Sequence, residues 1–155
     1  MSNELERHER YKQYSINAYN IGNSKFPVGT KILGIAENPK TGFSGYVLQE
    51  NNQIIIVYKG TDLNSVKDVM TDVNMAFKKR IPAQAGDALE VYDRVKQTFS
   101  NIPITVVGHS LGGSLAQYVA IMRNVYEAVT FNPVGVGKSM DNYLSKYGSK
   151  LLKIE

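Results

Sequence analysis

The ten residues Ile104-Thr105-Val106-Val107-Gly108-His109-Ser110-Leu111-Gly112-Gly113 constrain the fold more than any other part of this chain. They read as a buried strand, a G-x-S-x-G turn and an apolar helical pattern that starts at once. A serine on so sharp a strand-to-helix turn must hold a strained backbone, and glycines two residues to either side let strand and helix approach closely. The hydroxyl is then lifted clear of the sheet. The helix that follows brings its positive dipole end beside the serine, and the Leu111 N–H points where a tetrahedral oxyanion would form. Ser110 is therefore the candidate nucleophile and Leu111 a candidate oxyanion donor. A bare G-x-S-x-G is expected by chance in roughly one in twenty chains of this length, so the two flanks and the additional Gly113 carry the argument. The plainer role for Ser110 is that of a helix N-cap, which serine often fills.

The rest of the chain supplies a context for this turn. Leu5, His8, Tyr11, Ser15 and Ala18 recur at three- and four-residue steps and predict an amphipathic helix that ends near Gly22 and packs on a sheet. Three extended runs follow, over Thr30 to Ala36, Phe43 to Gln49 and Gln53 to Tyr58, separated by turn-rich Asn-Pro-Lys-Thr-Gly and Glu50-Asn51-Asn52. They predict an antiparallel meander. Val66, Val69, Met70, Val73 and Phe77 then mark a helix that Pro82 and Gly86 break, and Ala88, Val91, Tyr92, Val95 and Phe99 mark a second over Asp87 to Phe99. A helix from Leu111 to Arg123, a strand at Ala128 to Phe131, a helix around Ser139 to Tyr147 and an extended Lys150 to Ile154 complete the pattern. Hairpins first and alternating strands and helices afterwards predict an α/β fold, with a mixed sheet of antiparallel N-terminal hairpins and parallel strands around the Ser110 turn. The ligand site is expected at the carboxyl ends of the parallel strands.

At 155 residues, with 43% hydrophobic and 21% charged residues, the chain is expected to form one globular domain over residues 1–155 without staples. It contains no cysteine, so a disulfide framework and a thiolate metal site are both excluded. Met1 to Gln13 is polar, and no run approaches the ~20 apolar residues of a membrane span. A cytoplasmic location is the default expectation, with secretion without a signal left open. The net charge of +4 is spread thinly except at Lys78, Lys79 and Arg80. That cluster is read as a mild surface bias, with attraction to anionic lipid headgroups as the sharper alternative.

Three stretches resemble the class 3 lipases, a family that includes fungal triacylglycerol lipases and related phospholipases. Gly108 to Ala116 looks like the family's nucleophile block. Val57-Tyr58-Lys59-Gly60-Thr61-Asp62 resembles the strand end, usually Phe-Arg-Gly-Thr/Ser, that provides the second oxyanion donor, and Asp68 to Asn74 matches the acidic stretch after it. Val129-Thr130-Phe131-Asn132-Pro133-Val134-Gly135 is similar to the strand ending in Phe-Asn-x-Pro-Gly. The likeness runs from about Tyr11 to the last residue. It implies an α/β-hydrolase fold, a lipid or small ester substrate, an oxyanion role for Thr61 through its N–H and hydroxyl, and no metal or cofactor. Lys59 stands where the family usually has arginine, which places a supporting contact in question.

The triad is incomplete in this sequence. In α/β-hydrolases the acid and then the histidine follow the serine, and no histidine follows Ser110. His109 is the elbow residue whose ring the bend aims away from the hydroxyl, and His8 lies on the first helix. Of the later carboxylates, Glu127, Asp141 and Glu155, none fits the acid. The acid and base are therefore expected outside this chain, on a missing C-terminal segment or a second polypeptide. Two other readings remain. A catalytically incomplete lipase-fold module would bind a lipid or protein partner. Nucleotide binding at Asn132 to Ser139 lacks the first glycine of a phosphate-cradling loop. Met75 to Gly86 is read as a helix-to-helix connection, with a lid as the alternative. Nothing points to nucleic acid.

Overall fold

The computed structural model describes residues 2–59, 81–131 and 151–154. Their elements are α1 (Ser2–Asn17), a 3-10 turn (Ile21–Asn23), β1 (Thr30–Asn38), β2 (Phe43–Glu50), β3 (Gln53–Tyr58), α2 (Ile81–Thr98), β4 (Ile104–His109), α3 (Leu111–Met122), β5 (Glu127–Phe131) and β6 (Leu151–Ile154). All six strands form one sheet in sequence order. β1, β2 and β3 are antiparallel, and β3 to β6 run parallel, which is the mixed sheet the sequence predicts. The helices expected over Val66 to Phe77 and Ser139 to Tyr147, and the loop Asn132 to Ser139, lie outside the described residues.

The meander closes through short turns. Glu50 pairs with Gln53, so the β2–β3 loop is the two residues Asn51 and Asn52, and Asn51 takes φ +53°, a left-handed conformation asparagine tolerates well. β1 is an edge strand, and its register shifts between Ile32 and Gly34. A bulge of this kind twists an edge away from unwanted pairing.

Side chains of the central strands alternate between two cores. Ile54, Ile56 and Tyr58 of β3 and Ile104 and Val106 of β4 join Ala85, Ala88, Tyr92, Leu115, Ala116 and Val119 from α2 and α3. Ile55, Val57 and Val107 face the other way and meet Tyr11, Tyr14 and Ala18 of the N-terminal segment. Residues 54 to 58 of β3 are wholly buried, because helices cover both faces of a strand that also has a neighbour on each edge. α2 and α3 therefore share one face of the sheet, and α1 covers the other.

Hydrogen bonds across the sheet anchor α1. Arg10 donates two to Glu50, at 2.9 and 2.6 Å, and the Tyr14 hydroxyl donates to the same carboxylate at 2.6 Å. Tyr46 donates to the Tyr14 carbonyl oxygen, and Arg7 pairs with Glu127 at 2.6 Å. Two details of the expected helix differ. It stops at Asn17 rather than near Gly22, where the bonds tighten to Tyr19 N–H to Ile16 O and Asn20 N–H to Asn17 O. Leu5 is 68% exposed, because the buried stripe is carried by Tyr11, which accepts from Gln53, and Tyr14, which donates to Glu50.

α2 also departs from expectation. It begins at Ile81 and continues through Gly86 to Thr98, whereas Pro82 and Gly86 read as breaks. Pro82 falls in the first turn, where the missing N–H would have no acceptor within the helix anyway. Gly86 weakens a helix by only ~1 kcal/mol, less than burying Ala85 and Ala88 around it returns. The Ile81 to Gly86 half of the segment read as a connection or lid is thus helix; Met75 to Arg80 lie outside the described residues.

Candidate active site

The parallel strands end together. Tyr58, Gly108, Thr130 and Lys153 are in register, so β3, β4 and β5 have their carboxyl ends along one side of the sheet, where open α/β sheets place their ligands. Ser110 is the first residue beyond β4. Its backbone stands at φ +56°, ψ −123°, a sparsely populated conformation for a residue with a side chain, which costs about 1–3 kcal/mol and persists only where the surroundings enforce it.

The enforcing contacts are backbone ones. The Ser110 N–H donates to the Phe131 carbonyl at the end of β5 (3.0 Å), and the Ser114 N–H donates to the Ser110 carbonyl (3.1 Å). Gly108 allows the helix to fold back on the strand: a Cβ there would lie 2.1 Å from the Gly112 carbonyl oxygen and 2.6 Å from the Gly113 nitrogen. Only glycine fits this crossing. The side chain of Ser110 makes no capping hydrogen bond to α3, so it does not perform the N-cap role that is the plainer reading of the motif. Leu111 is the first residue of α3, and its N–H has no acceptor within the helix. A hydroxyl released from capping and an N–H at a positive helix end are what acyl transfer requires at one point.

The neighbouring groups sort into those near the elbow and those far from it. The His109 ring packs edge-on against Tyr19, with centroids 6.5 Å apart and planes at 78°, and its Nδ1 is buried without a hydrogen-bond partner among the described residues. Burial first, and the charge of Lys12 second, hold its pKa below the usual histidine value, so the ring is neutral around pH 7. His8 sits on α1 next to Arg7, which is tied to Glu127 at the start of β5. With a rise of ~1.5 Å per residue, His8 lies roughly 14 Å along the axis from the helix end at Asn17 and away from Ser110. Glu127 is held by Arg7 and accepts from the Thr105 hydroxyl at 3.4 Å, at the amino ends of the parallel strands, so it does not serve Ser110. Thr61, Asp141 and Glu155 lie outside the described residues.

Two participants at this site had roles that the sequence does not mark. Phe131 acts through its carbonyl, which any residue would offer, and Tyr19 lies beyond the end of the periodic stripe. Gln117 and Thr130, both 1% exposed, are joined at 3.3 Å behind the elbow and tie α3 to β5.

The sheet order, the helices on both faces and the turn at Ser110 define an α/β-hydrolase fold of the lipase type. Solved lipases share it: that of Yarrowia lipolytica (Lip2) at TM-score 0.75 and 18% identity, covering 99% of this chain and 71% of that one, and the triacylglyceride lipase of Rhizomucor miehei at 0.75 and 18%, covering 96% and 69%. A family model described as phospholipase-like, the Tle-like phospholipase domain, matches residues 29–150, and the chain belongs to that family. It is 27% identical over 129 residues to the extracellular phospholipase A1 of Serratia liquefaciens, a match covering 79% of this chain and 39% of that protein. The chain thus spans well under half the length of this curated relative. The resemblance to class 3 lipases read from the sequence is borne out for family and fold. No described helix is long and apolar enough to cross a membrane.

Proposed function

We propose that this chain is the nucleophile-bearing part of a serine carboxylic-ester hydrolase of lipase or phospholipase type, built as one domain over residues 1–155. The carrying observation is Ser110 itself, held at φ +56° on the β4–α3 turn with its side chain uncommitted to the helix. Its hydroxyl oxygen bonds to the ester carbonyl carbon while a base takes the hydroxyl proton. The carbonyl oxygen becomes an alkoxide that the Leu111 and Thr61 N–H groups stabilise. Collapse expels the alcohol, which takes the proton back from the base, and leaves an acyl group on Ser110. Water, deprotonated by the same base, then releases the carboxylic acid. Family membership and the likeness to a phospholipase A1 support a lipid ester as the substrate, and a peripheral contact with the lipid surface that carries it.

The acid and base are proposed to come from outside these 155 residues. Supporting this, His109 is packed against Tyr19, His8 lies in the middle of α1 beside Arg7, and Glu127 is committed to Arg7. Without its histidine, such a site keeps only about 10³- to 10⁴-fold over water. The test is hydrolysis of a short-chain p-nitrophenyl ester by the purified chain beside Ser110→Ala. A weak, Ser110-dependent rate that rises by orders of magnitude when an Asp- and His-bearing continuation or second polypeptide is supplied supports the proposal. Hydrolysis that survives Ser110→Ala refutes it, and no Ser110-dependent rate under any of these conditions favours a lipid-binding module instead.

A further inference from the structure

Behind the Ser110 turn, two polar side chains occupy core positions. Gln117 on α3 and Thr130 on β5 are each 1% exposed, and the Gln117 amide donates to the Thr130 hydroxyl at 3.3 Å. Around Gln117, α3 gives Leu115, Ala116 and Val119 to the core. Burying an amide and a hydroxyl costs stability unless they are bonded, and a bonded pair specifies one arrangement of its two elements where apolar contacts tolerate several. Thr130 pairs with Gly108 across the β4–β5 ladder, beside the crossing where α3 folds back on β4. Its neighbours Val129 and Phe131 face the α1 side, so Thr130 faces α2 and α3. Gln117 follows Ser110 by seven residues, about two helical turns, and stands on the same side of α3 as the turn. Helical side chains lean toward the amino end, which brings the long Gln117 side chain back toward the strand ends.

These bonds close a ring. It runs from Ser110 along α3 to Gln117, crosses the side-chain hydrogen bond to Thr130, passes through one peptide unit to Phe131, and returns from the Phe131 carbonyl to the Ser110 N–H at 3.0 Å. That last bond helps to hold Ser110 at φ +56°. A slide of α3 along β5 therefore changes the turn itself. We propose that Gln117 and Thr130 are positioning residues for the nucleophile: their hydrogen bond sets the register of α3 on β5, and with it the placement of the Ser110 hydroxyl and the Leu111 N–H above the sheet. Both act through the Phe131 carbonyl and the first turn of α3. Neither touches the reacting atoms. The assignment rests on the reading of Ser110 as nucleophile. It also accounts for a buried glutamine in an otherwise apolar part of α3, where a leucine would pack without needing a partner.

The test compares Thr130→Val, Gln117→Met and the double variant Thr130→Val/Gln117→Met with the conservative Thr130→Ser, which keeps the hydroxyl. Each single variant strands one buried polar group and is expected to lower the urea midpoint, whereas the double variant removes both partners and is expected to regain most of that loss. The Ser110-dependent rate on a p-nitrophenyl ester is expected to follow a different order. In both single variants and in the double variant, kcat falls by roughly tenfold or more, the scale of an ångström-sized misplacement, while KM stays within about twofold. Thr130→Ser stays within about threefold of wild type in both constants. A purely structural pair would give back kcat together with stability. Hydrogen exchange provides a readout that needs no activity: in the double variant the Ser110 amide exchanges about tenfold faster or more, while the Val107 amide in β4 keeps its wild-type protection. Recovery of kcat in the double variant, or a Ser110 amide that exchanges there as slowly as in wild type, overturns the proposal. If a single variant does not fold, the double variant carries both measurements. If the wild-type chain shows no Ser110-dependent hydrolysis, the nucleophile reading falls, and amide exchange alone decides whether the pair holds the turn.

Discussion

Replacing Gly108 by alanine tests the elbow most directly, because the added methyl has nowhere to go. Its carbon would lie 2.1 and 2.2 Å from the carbonyl oxygen and carbon of Gly112 and 2.6 Å from the Gly113 nitrogen, where ordinary contact begins at 3.4 Å. All three obstacles are backbone atoms, so no side-chain rotation relieves the clash, and β4 and α3 must part by more than an ångström. Overpacking of this kind costs about 1–3 kcal/mol. Loosening the Ser110–Phe131 and Ser114–Ser110 hydrogen bonds adds about 0.5–1.5 kcal/mol each. The total of roughly 2–6 kcal/mol is a large share of the ~5–15 kcal/mol that holds a domain folded. At about 2–4 °C per kcal/mol for a chain of this size, the midpoint should fall by roughly 4–24 °C in a far-UV circular dichroism melt. Gly86→Ala is the matched control: it lies inside α2 and a Cβ there meets nothing within 4 Å. The same chemical change should stabilise by about 0.5–1 kcal/mol. A Gly108→Ala protein melting within about 2 °C of wild type would show that strand and helix are not in backbone contact, and the strain argument for Ser110 would go with it.

Three further outcomes follow from individual contacts. Ser110→Gly should raise stability by about 1 kcal/mol in urea titration, because glycine accepts a positive φ without strain, and should abolish any Ser110-dependent hydrolysis; a loss of stability would contradict the strained backbone. Glu50→Ala strands Arg10 and the Tyr14 hydroxyl and should cost about 2–3 kcal/mol, below the usual figure for a broken buried pair because Arg10 is 32% exposed. Burial opposes the ionised form of Glu50, but hydrogen bonds from Arg10 and Tyr14 outweigh it and hold the carboxyl below its ordinary value. The unfolded chain therefore takes up this proton first as pH falls. The stabilisation is complete above about pH 4.3 and is lost below it, so the wild-type and Glu50→Ala stabilities should converge on acidification. Tyr58→Phe removes a buried 2.9 Å bond to the Ala88 carbonyl and should cost about 1 kcal/mol, a value within 0.3 of zero being inconsistent with that bond.

Much of the architecture was legible because its signals are local. A β-branched run before G-x-S-x-G, alternating apolar residues and short Asn-rich turns each restrict the backbone within a few residues, and strands β2 to β5 and helix α3 fall where those patterns place them. The misreadings have a common cause. Pro82 and Gly86 are helix breakers by propensity, but position in the first turn and the buried alanines beside them outweigh it. Leu5 fits a helical stripe, yet Tyr11, which meets Gln53, and Tyr14, which meets Glu50, decide which side of α1 is buried.

What the amino-acid order settles by itself is the strand–turn–helix at Ser110 and the parallel sheet that presents it, since glycine spacing and side-chain periodicity act on neighbouring residues. The absence of a histidine after Ser110 is likewise a fact of the sequence. Tertiary structure alone decides which distant groups meet there. The Phe131 carbonyl holds the Ser110 amide, Arg7 claims Glu127 at the opposite end of the sheet, and the Tyr19 ring meets both Lys59 and His109. Those contacts join residues up to 120 positions apart, and they depend on how strands are ordered and helices packed, which no local pattern records.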